Sequence, residues 1–473
     1  MTHPVKKPEH YGNEMFFPPQ NLHFIGIGGI GMSGLAEIAV ALGCTVSGSD
    51  LASSATTLRL QSLGVTFHRG HDAANLGQAD AVIVTSAASP DNPELAEARR
   101  RGLPIVRRGE LLAELMRPRF GLAVAGSHGK STTSAMIASV AIAAGLDPTV
   151  VVGARLPVLG GASARLGHGV HCIAESDESD GSFLDLSPVI AVITNIDREH
   201  LDYYSDLNAI LRAFETFGNR PPHYGSLIAC VDDPNVRLVL QKVRRRVHTY
   251  GRAEDAEFRI SNQELSASGG EFDLARHGQP LGRFRVPALG SHNVLNATAT
   301  VAAGLEIGVS VEQIRTALQN FQGLGRRLEI KGTEQGITVV DDYGHHPTEI
   351  RATLAAARLS NPGRLVVLFQ PHRFTRTQAL LEEFAGAFDD ADAVRILDIY
   401  AASEQPIDGI SGEEVARRIQ NAGHPDACYT GSLTGTVAHT LVELRPGDLV
   451  LTLGAGSITQ AGDLILKGLR GDQ

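Results

Sequence analysis

The sequence predicts an α/β protein of three domains with mostly parallel sheets. Short apolar runs that end in glycine alternate with Ala- and Leu-rich helical stretches, the pattern of βαβ units. A chain of 473 residues is too long for one hydrophobic core. With 51 glycines, no tryptophan and 5% aromatic residues, the composition favours many tight strand-to-helix turns. We expect the three domains to cover residues 1–118, 119–326 and 327–473.

Composition and charge exclude several classes of protein. Apolar residues make up 43% and charged residues 20%, which is typical of a soluble globular chain and excludes a mainly disordered one. The net charge is 42 − 52 = −10, which argues against a nucleic-acid partner. No apolar stretch approaches about 18 residues, and the polar residues 1–20 do not form a signal peptide. Four cysteines without C-x-x-C spacing indicate buried thiols, so we expect a cytoplasmic protein without a membrane span.

The first domain opens with a glycine-rich turn. Gly26, Gly28 and Gly31 form G-x-G-x-x-G directly after the apolar run LHFI, and Asp50 closes the next predicted strand. Such glycines allow a tight turn, the close approach of a pyrophosphate, and a helix N-terminus that points amides at it. The pattern predicts a Rossmann-like domain that binds a diphosphate. NAD with Asp50 on a ribose hydroxyl, and a turn that only packs tightly, are the alternatives.

The second domain opens with a predicted phosphate-binding loop. Gly126–Ser131 follows the strand FGLAVA and precedes the helical stretch STTSAMIASVAIAAG. Backbone amides of such a loop cradle phosphates, Lys130 neutralises the β and γ oxygens, and the Ser131 hydroxyl binds magnesium. Val124 stands where the general pattern has its first glycine. The residues that we expect to bind phosphate in this loop are Gly126, Ser127, His128, Gly129, Lys130, Ser131 and Thr132.

Two further residues follow strand ends in this domain. Glu175 ends the strand VHCIA, and His200 follows the strand VIAVITNID. Open α/β sheets place ligand-contacting groups at such ends. Hard oxygen ligands suit Mg²⁺, and a single imidazole can complete a second metal site. The sequence therefore predicts Ser131, Glu175 and His200 as ligands of magnesium ions, against the alternative of a solvated acidic loop and a surface or core histidine.

The run GSHNVLN, residues 290–296, opens a predicted helix. In one interpretation its serine and asparagines only cap the helix. In the other, the polar helix N-terminus faces a nucleotide base.

The third domain carries two polar runs, DDYGHHPTE after the strand GITVV and QPHRFTRT after the strand RLVVLF. We expect these two strand ends to be neighbours. Arg373 and Arg376 could bind a small carboxylate through paired hydrogen bonds. Tyr343 and His345 would lie beside them. Surface ion pairing is the alternative.

Seven motifs in order, HFIGIGGIGMSG, AGSHGKSTT, ESDESDGSF, TNIDREH, GSHNVLNA, DDYGHHPTE and QPHRFTRT, resemble those of the Mur ligase family from about residue 22 onward. The resemblance implies an ATP- and Mg²⁺-dependent ligase of peptidoglycan precursor synthesis. The third-domain motifs point to the branch that joins L-alanine to the carboxylate of UDP-N-acetylmuramate through an acyl phosphate. The branch that recycles a tripeptide is the nearest competitor.

The resemblance also assigns roles to residues. UDP in place of NAD would occupy the glycine loop. ATP would occupy the loop of residues 126–132, with Arg327 near its phosphates and Asp342 near its ribose. The residues implied at its adenine side are His292, Asn293 and Asn296. The residues implied to be catalytic are Lys130, His200, His345 and Arg376. The residues implied to bind the two other substrates are Gly28, Gly29, Gly31, Asp50 and Ser86 for the sugar nucleotide, and Tyr343, His345, Arg373 and Arg376 for L-alanine.

Some positions depart from the family pattern. Glu199 and Ser457 stand where family members often have Asp. No lysine lies between Lys130 and Lys242, so the carbamoylated lysine that several relatives use for a second magnesium ion has no counterpart here. A dehydrogenase and a non-catalytic ATP switch are the rivals outside the family. We expect a monomer or a homodimer.

Overall fold

The structure, a computed structural model, describes residues 20–201, 203–402 and 404–471. The expectation that no signal peptide opens the chain concerns residues 1–20, of which 1–19 lie outside the described residues. The described chain forms two compact units. The first comprises the residues up to Ile196 with Leu211–Thr249 and Ala302–Gln313, and the second comprises Asp197–Ile210, Tyr250–Val301 and the residues from Ile314 onward.

The first unit opens with a parallel five-stranded sheet. Its strand order is β3-β2-β1-β4-β5, which reverses at β1, as in Rossmann-like folds. Pro93 at the first turn and the Asn92 side chain start its third helix, and Gly102 in a left-handed conformation ends it. The elements are β1 (Asn21–Ile25), α1 (Ile30–Ala41), β2 (Thr45–Asp50), α2 (Ala55–Ser62), β3 (Thr66–Arg69), β4 (Ala81–Val84), α3 (Pro93–Arg101), β5 (Ile105–Arg107) and α4 (Arg108–Met116).

A second set of strands in this unit surrounds a central strand, β6, that is buried except at its first residue, Phe120. The strand order here is β11-β10-β6-β9-β7-β8, and β8 alone runs antiparallel to its neighbour. The elements are β6 (Phe120–Ala125), α5 (Lys130–Ala143), β7 (Thr149–Leu156), β8 (Ala162–Arg165), β9 (His171–Glu175), β10 (Ile190–Ile193), α6 (Leu207–Gly218), β11 (Ser226–Cys230), α7 (Pro234–Leu240) and β12 (Arg246–Gly251).

Helix α1 packs closely on β8. A Cβ added at Gly34 would lie only 2.8 Å from the Cβ of Ala164, so this position needs a glycine. Beside it, the Ser163 hydroxyl donates to the carbonyl of Ile30 at 3.2 Å. The helix that begins at the glycine-rich turn is therefore fixed to the strands around the phosphate-binding loop.

The second unit contains an antiparallel meander of three strands, β13 to β15, which was not predicted from the sequence. His277 and Gly278 both adopt positive φ, 49° and 77°, and form the two-residue turn that suits antiparallel strands. The meander and the helices after it are β13 (Phe258–Ser266), β14 (Gly269–Arg276), β15 (Gln279–Val286), α8 (Ser291–Glu306) and α9 (Val311–Gln319).

The remainder of the second unit is a six-stranded sheet of order β16-β17-β21-β18-β19-β20, parallel except for β16. The prediction that the strands before Tyr343 and His372 are neighbours is wrong, because β21 pairs with both and lies between them. The elements are β16 (Glu329–Glu334), β17 (Ile337–Asp342), α10 (Pro347–Arg358), β18 (Arg364–Phe369), α11 (Phe374–Ala379), α12 (Leu381–Phe384), β19 (Ala393–Leu397), α13 (Gly412–Asn421), β20 (Ala427–Gly431), α14 (Leu433–Glu443), β21 (Asp448–Leu453) and α15 (Thr459–Arg470).

These sheets confirm the predicted α/β class with mostly parallel strands. Within the described residues, no helix has both the length and the apolar character needed to cross a bilayer.

Candidate functional site

The phosphate-binding loop lies at the carboxyl end of β6, between the ends of β9 and β10. Gly126 and Gly129 adopt positive φ, 139° and 83°, and a side chain at Gly126 would clash with Thr194. Asn195 braces the loop from both sides, because its Oδ1 accepts from the His128 amide at 2.8 Å and its Nδ2 donates to the His128 carbonyl at 2.9 Å. Helix α5 begins directly after Gly129, so its first amides face the loop.

Lys130 is held over this loop by three acceptors. Its Nζ donates to the carbonyls of Gly126 and Ser127 at 2.7 and 3.0 Å, and to Oε1 of Glu178 at 2.7 Å. The Glu178 side chain is only 2% exposed, so this carboxylate pairs with the ammonium in a poorly solvated place. The sequence did not predict Glu178 or Asn195 as site residues. Only the folded loop shows which acidic or amide side chain reaches it.

Two of the three predicted magnesium ligands lie together. The Ser131 hydroxyl donates to Oε1 of Glu175 at 2.9 Å, and Oε2 of Glu175 accepts from the Gly153 amide at 2.6 Å. A hydroxyl and a carboxylate this close form the oxygen donor set that Mg²⁺ prefers. His200 belongs to the second unit, where it adopts a φ of 55° and its Nε2 lies 3.8 Å from Oε2 of Glu199. Thr132 lies in the first turn of α5.

The glycine-rich turn of the first sheet brings most of its predicted residues together. The Gly28 amide donates to Oδ2 of Asp50 at 2.9 Å, and a Cβ at Gly28 would lie 2.8 Å from the same oxygen. Gly29 precedes the first residue of α1, and Gly31 lies in the first turn. Ser86 is exposed just beyond the end of β4, the strand next to β1. The arrangement leaves backbone amides at the start of α1 as donors for an anion.

The asparagine side chains at the start of α8 hydrogen-bond to each other and to nearby backbone. Asn293 Nδ2 donates to the Leu289 carbonyl at 2.7 Å, and Asn296 Nδ2 donates to Asn293 Oδ1 at 3.0 Å. The side-chain nitrogen Nδ2 of Asn293 also lies 3.2 Å from Nε2 of His292. None of these three contacts is an N-cap bond, in which a side-chain oxygen accepts from a backbone amide of the first turn. The capping interpretation and contact of the three residues with an adenine therefore both stay predictions.

Asp342 shapes the loop that follows β17. Its Oδ1 accepts from the Gly344 amide and its Oδ2 from the Leu328 amide, both at 2.8 Å. Burial raises the pKa of this carboxyl, while Arg327 and the two amides act in the opposite direction. The carboxyl therefore fixes backbone on two sides, and its contact with a ribose stays a prediction.

The Tyr343 ring lies near two guanidinium groups. The Cζ of Arg326 is 4.9 Å from the ring centroid and that of Arg327 is 5.5 Å from it. Arg326 is fixed in turn, because it donates to Asp341 Oδ2 at 3.1 Å and to the Gly454 carbonyl at 2.6 Å. Arg326 is not among the site residues predicted from the sequence, although its neighbour Arg327 is.

His345, His372 and Arg376 form a cluster although β21 separates their strands. The two imidazole rings are 5.9 Å apart, and Arg376 Nη1 donates to Nδ1 of His372 at 3.1 Å. The His372 ring also stacks on Tyr400, with 5.5 Å between centroids and 12° between planes. Arg373, with a φ of 67°, donates its amide to the Tyr400 carbonyl at 2.8 Å and precedes the first turn of α11.

Both histidines of this cluster are neutral near pH 7. Burial lowers the pKa of His345 to about 4, with the Arg376 charge as the next cause. Burial, His345 and Arg376 lower the pKa of His372 to about 3. Nδ1 of His345 lies 3.1 Å from the Tyr343 carbonyl, which can only accept, so this nitrogen carries the proton and Nε2 is the basic one. The cluster thus offers fixed cations beside unprotonated imidazoles.

Three family descriptions match successive parts of the chain. Residues 21–120 match "Mur ligase family, catalytic domain", residues 124–304 match "Mur ligase middle domain", and residues 326–456 match "Mur ligase, glutamate ligase domain". Together with the parallel sheets, these matches confirm the predicted architecture of three α/β domains, a Rossmann-like first domain, a central phosphate-loop domain and a Rossmann-like third domain.

Individual relatives cover almost the whole chain. A UDP-N-acetylmuramate–L-alanine ligase of Solibacter usitatus is 52% identical over 98% of this chain and 98% of its own length. A ligase of the same name from Myxococcus xanthus is 49% identical over 95% of each chain. The crystal structure of UDP-N-acetylmuramate–alanine ligase from Thermotoga maritima superposes with a TM-score of 0.82 at 28% identity, over 96% of this chain and 100% of that one. Family descriptions that match most of the chain, and relatives that are about half identical over nearly all of it, show that the chain belongs to the Mur ligase family.

Proposed function

We propose that this protein joins L-alanine to the carboxylate of UDP-N-acetylmuramate with the hydrolysis of ATP to ADP and phosphate, a step of peptidoglycan precursor synthesis. The observation that carries the proposal is the identity of about half of all residues with ligases of that name over nearly the full chain. The braced phosphate loop around Lys130 supplies the ATP chemistry that such a ligase needs.

Each of the three segments takes one substrate. Residues 1–118 bind the sugar nucleotide, with its diphosphate on the glycine-rich turn. Residues 119–326 bind ATP, and residues 327–473 bind the amino acid. Both nucleotides are cytoplasmic metabolites, which supports the cytoplasm as the location, and a monomer or homodimer stays a prediction.

A carboxylate is a poor electrophile and needs activation before an amine can attack it. The muramoyl carboxylate attacks the γ-phosphate of ATP in line and gives an acyl phosphate and ADP. The amine of alanine then attacks the acyl carbon and expels phosphate. In this scheme Lys130 neutralises charge on the transferring phosphoryl group, and the loop amides orient it.

Ser131 and Glu175 fit a magnesium ion, since their oxygens already lie 2.9 Å apart. When bound there, Mg²⁺ would offset negative charge on the phosphates. His200 as a third ligand is a further part of the proposal.

The alanine pocket is proposed at the cluster after β17 and β18. A guanidinium of Arg376 or Arg373 binds the alanine carboxylate, and Tyr343 borders the pocket. Nε2 of His345 is the candidate acceptor for a proton of the ammonium, because it is unprotonated at neutral pH. Its low pKa makes it a weak base, so most of the rate is expected to come from positioning, which can supply on the order of 7–11 kcal/mol.

One experiment tests the function against its rivals. Purified protein receives Mg-ATP and UDP-N-acetylmuramate, then L-alanine, glycine, L-serine or the tripeptide in turn, and phosphate release and product mass are measured. We expect the L-alanine adduct, with little phosphate release when no amino acid is present. Lys130→Ala should abolish ADP formation and retain UDP-sugar binding. A preference for the tripeptide, or equal ATP consumption without amino acid, would refute the proposal.

A further inference from the structure

Arg108, the first residue of α4, lies between the glycine-rich turn and the acidic segment. We use the name acidic segment for residues 175–185, ESDESDGSFLD, which carry Glu175 and Glu178. Arg108 Nη2 donates to Oδ2 of Asp177 at 2.7 Å. On its other side it packs against Gly31, where an added Cβ would lie 3.2 Å from Nη1 and 3.3 Å from Cδ of Arg108. One guanidinium therefore borders both loops.

The residues on either side of Arg108 hold the same acidic segment. Arg107 Nη2 donates to Oδ2 of Asp185 at 3.2 Å, and a side chain at Gly109 would clash with Ser182. The start of α4 thus anchors the segment whose two glutamates contact Ser131 and Lys130. A change at Arg108 can reach the phosphate loop through this segment.

The Arg108–Asp177 pair is accessible enough to exchange partners. The side chains are 21% and 39% exposed, and ion pairs at such exposure contribute little net stability. A diphosphate on the glycine-rich turn carries more charge than one carboxylate and presents paired oxygens that match a guanidinium fork. The diphosphate is therefore the stronger acceptor for Arg108.

We propose that Arg108 is a substrate-binding residue that exchanges Asp177 for the diphosphate of the sugar nucleotide, and that this exchange loosens the acidic segment beside the phosphate loop. The inference rests on the proposed function, because it requires a sugar nucleotide on the glycine-rich turn. By this exchange, binding of the sugar nucleotide at the glycine-rich turn would alter the acidic segment beside the phosphate loop.

Titration of the full chain with UDP by calorimetry tests the exchange. Arg108→Ala should weaken UDP binding about tenfold or more, and Arg108→Lys should weaken it less, because lysine keeps the charge and loses the fork. Asp177→Asn should tighten UDP binding about two- to fivefold, because it removes the competing charge and keeps the Oδ1 that accepts from the Ser179 amide. A purely structural ion pair predicts that Asp177→Asn weakens UDP binding or leaves it unchanged.

The matched control is Arg107→Ala, which removes the adjacent guanidinium from its partners Glu110 and Asp185. It should leave UDP affinity within about twofold of the wild type. Hydrogen exchange of the amides of residues 176–185 gives a second measurement. UDP should speed this exchange in the wild type, speed it less in Arg108→Lys, and leave it unchanged in Arg108→Ala.

The outcomes separate the inference from the proposed function. Equal UDP affinity in the wild type and both Arg108 variants, or weaker binding in Asp177→Asn, overturns the exchange while the ligase function stands. A loss confined to UDP-N-acetylmuramate, with UDP unaffected, assigns Arg108 to the muramoyl carboxylate and also overturns it. A wild-type protein that binds neither compound overturns the sugar-nucleotide site and the inference together.

Discussion

The Nζ of Lys130 lies 2.7 Å from Oε1 of Glu178, a carboxylate that is almost fully buried beside the phosphate-binding loop. The same ammonium is the group proposed to neutralise the phosphates of ATP. A buried carboxylate and a phosphate compete for one cation, so the contact sets how readily the loop accepts a nucleotide.

Glu178→Gln should therefore tighten binding of ADP in the absence of Mg²⁺ by severalfold, because the neutral amide does not compete with phosphate for Lys130. Calorimetric titration measures the change. The control is Asp180→Asn in the same segment, whose Oδ1 accepts from the Ser182 amide and retains that bond as an amide. Weaker ADP binding in Glu178→Gln would mean that Glu178 supports the nucleotide site.

Ser131→Ala should raise the Mg²⁺ concentration needed for half-maximal activity about tenfold or more, since it removes one of two adjacent oxygen donors. Titrations of activity with Mg²⁺ at fixed ATP measure the shift. Ser139→Ala on the same helix, whose hydroxyl donates to the Ala135 carbonyl, should leave the titration unchanged. An unchanged Mg²⁺ requirement in Ser131→Ala would remove the serine from the metal site.

Arg376→Ala should raise the KM for L-alanine about tenfold or more and change the KM for ATP little, because the guanidinium is the proposed partner of the alanine carboxylate. Steady-state kinetics with each substrate varied in turn provide the comparison. Arg351→Ala, an exposed arginine on α10, is the control for loss of one positive charge. A defect selective for ATP would contradict the pocket assignment.

The protein should lose stability as the pH falls from about 6.5 towards 4. The pKa values of His345 and His372, about 4 and about 3, lie below the value of about 6.5 for an unfolded histidine, so the unfolded chain binds more protons in this window. The stabilisation is complete above pH 6.5 and is lost as the pH falls. Melting temperatures between pH 7.5 and 4.5 should fall less steeply for His345→Gln than for the exposed control His223→Gln. Parallel curves would contradict the assignment.

Gly34→Ala should destabilise the protein by about 1–3 kcal/mol, because its Cβ would meet that of Ala164 at 2.8 Å in the contact between α1 and β8. Urea unfolding measures the change. At Gly386 an added Cβ meets nothing within 4 Å, so Gly386→Ala serves as the control and should have little effect. A stable Gly34→Ala variant would show that this contact can shift.

Local pattern alone predicted the elements that carry the two nucleotide loops. The runs LHFI and FGLAVA, each followed by glycines and a helical stretch, became β1 with α1 and β6 with α5. The antiparallel strands β13 to β15 were not predicted, because they do not follow the pattern of an apolar run that ends in glycine and leads into a helix. Their signal is the two-residue turn at His277 and Gly278, both with positive φ.

The sequence by itself determined the α/β class and the strand–loop–helix setting of the two glycine-rich loops, because strand–glycine–helix signals depend on neighbours a few positions apart. Only the tertiary structure decided that β21 lies between β17 and β18, that Glu178 contacts Lys130, and that Arg326 supports Tyr343. These relationships join residues from 17 to more than 100 positions apart, as when Arg326 donates to the Gly454 carbonyl. Strand order and long-range side-chain contacts follow from how the whole chain buries its apolar surface, which no short stretch of sequence specifies.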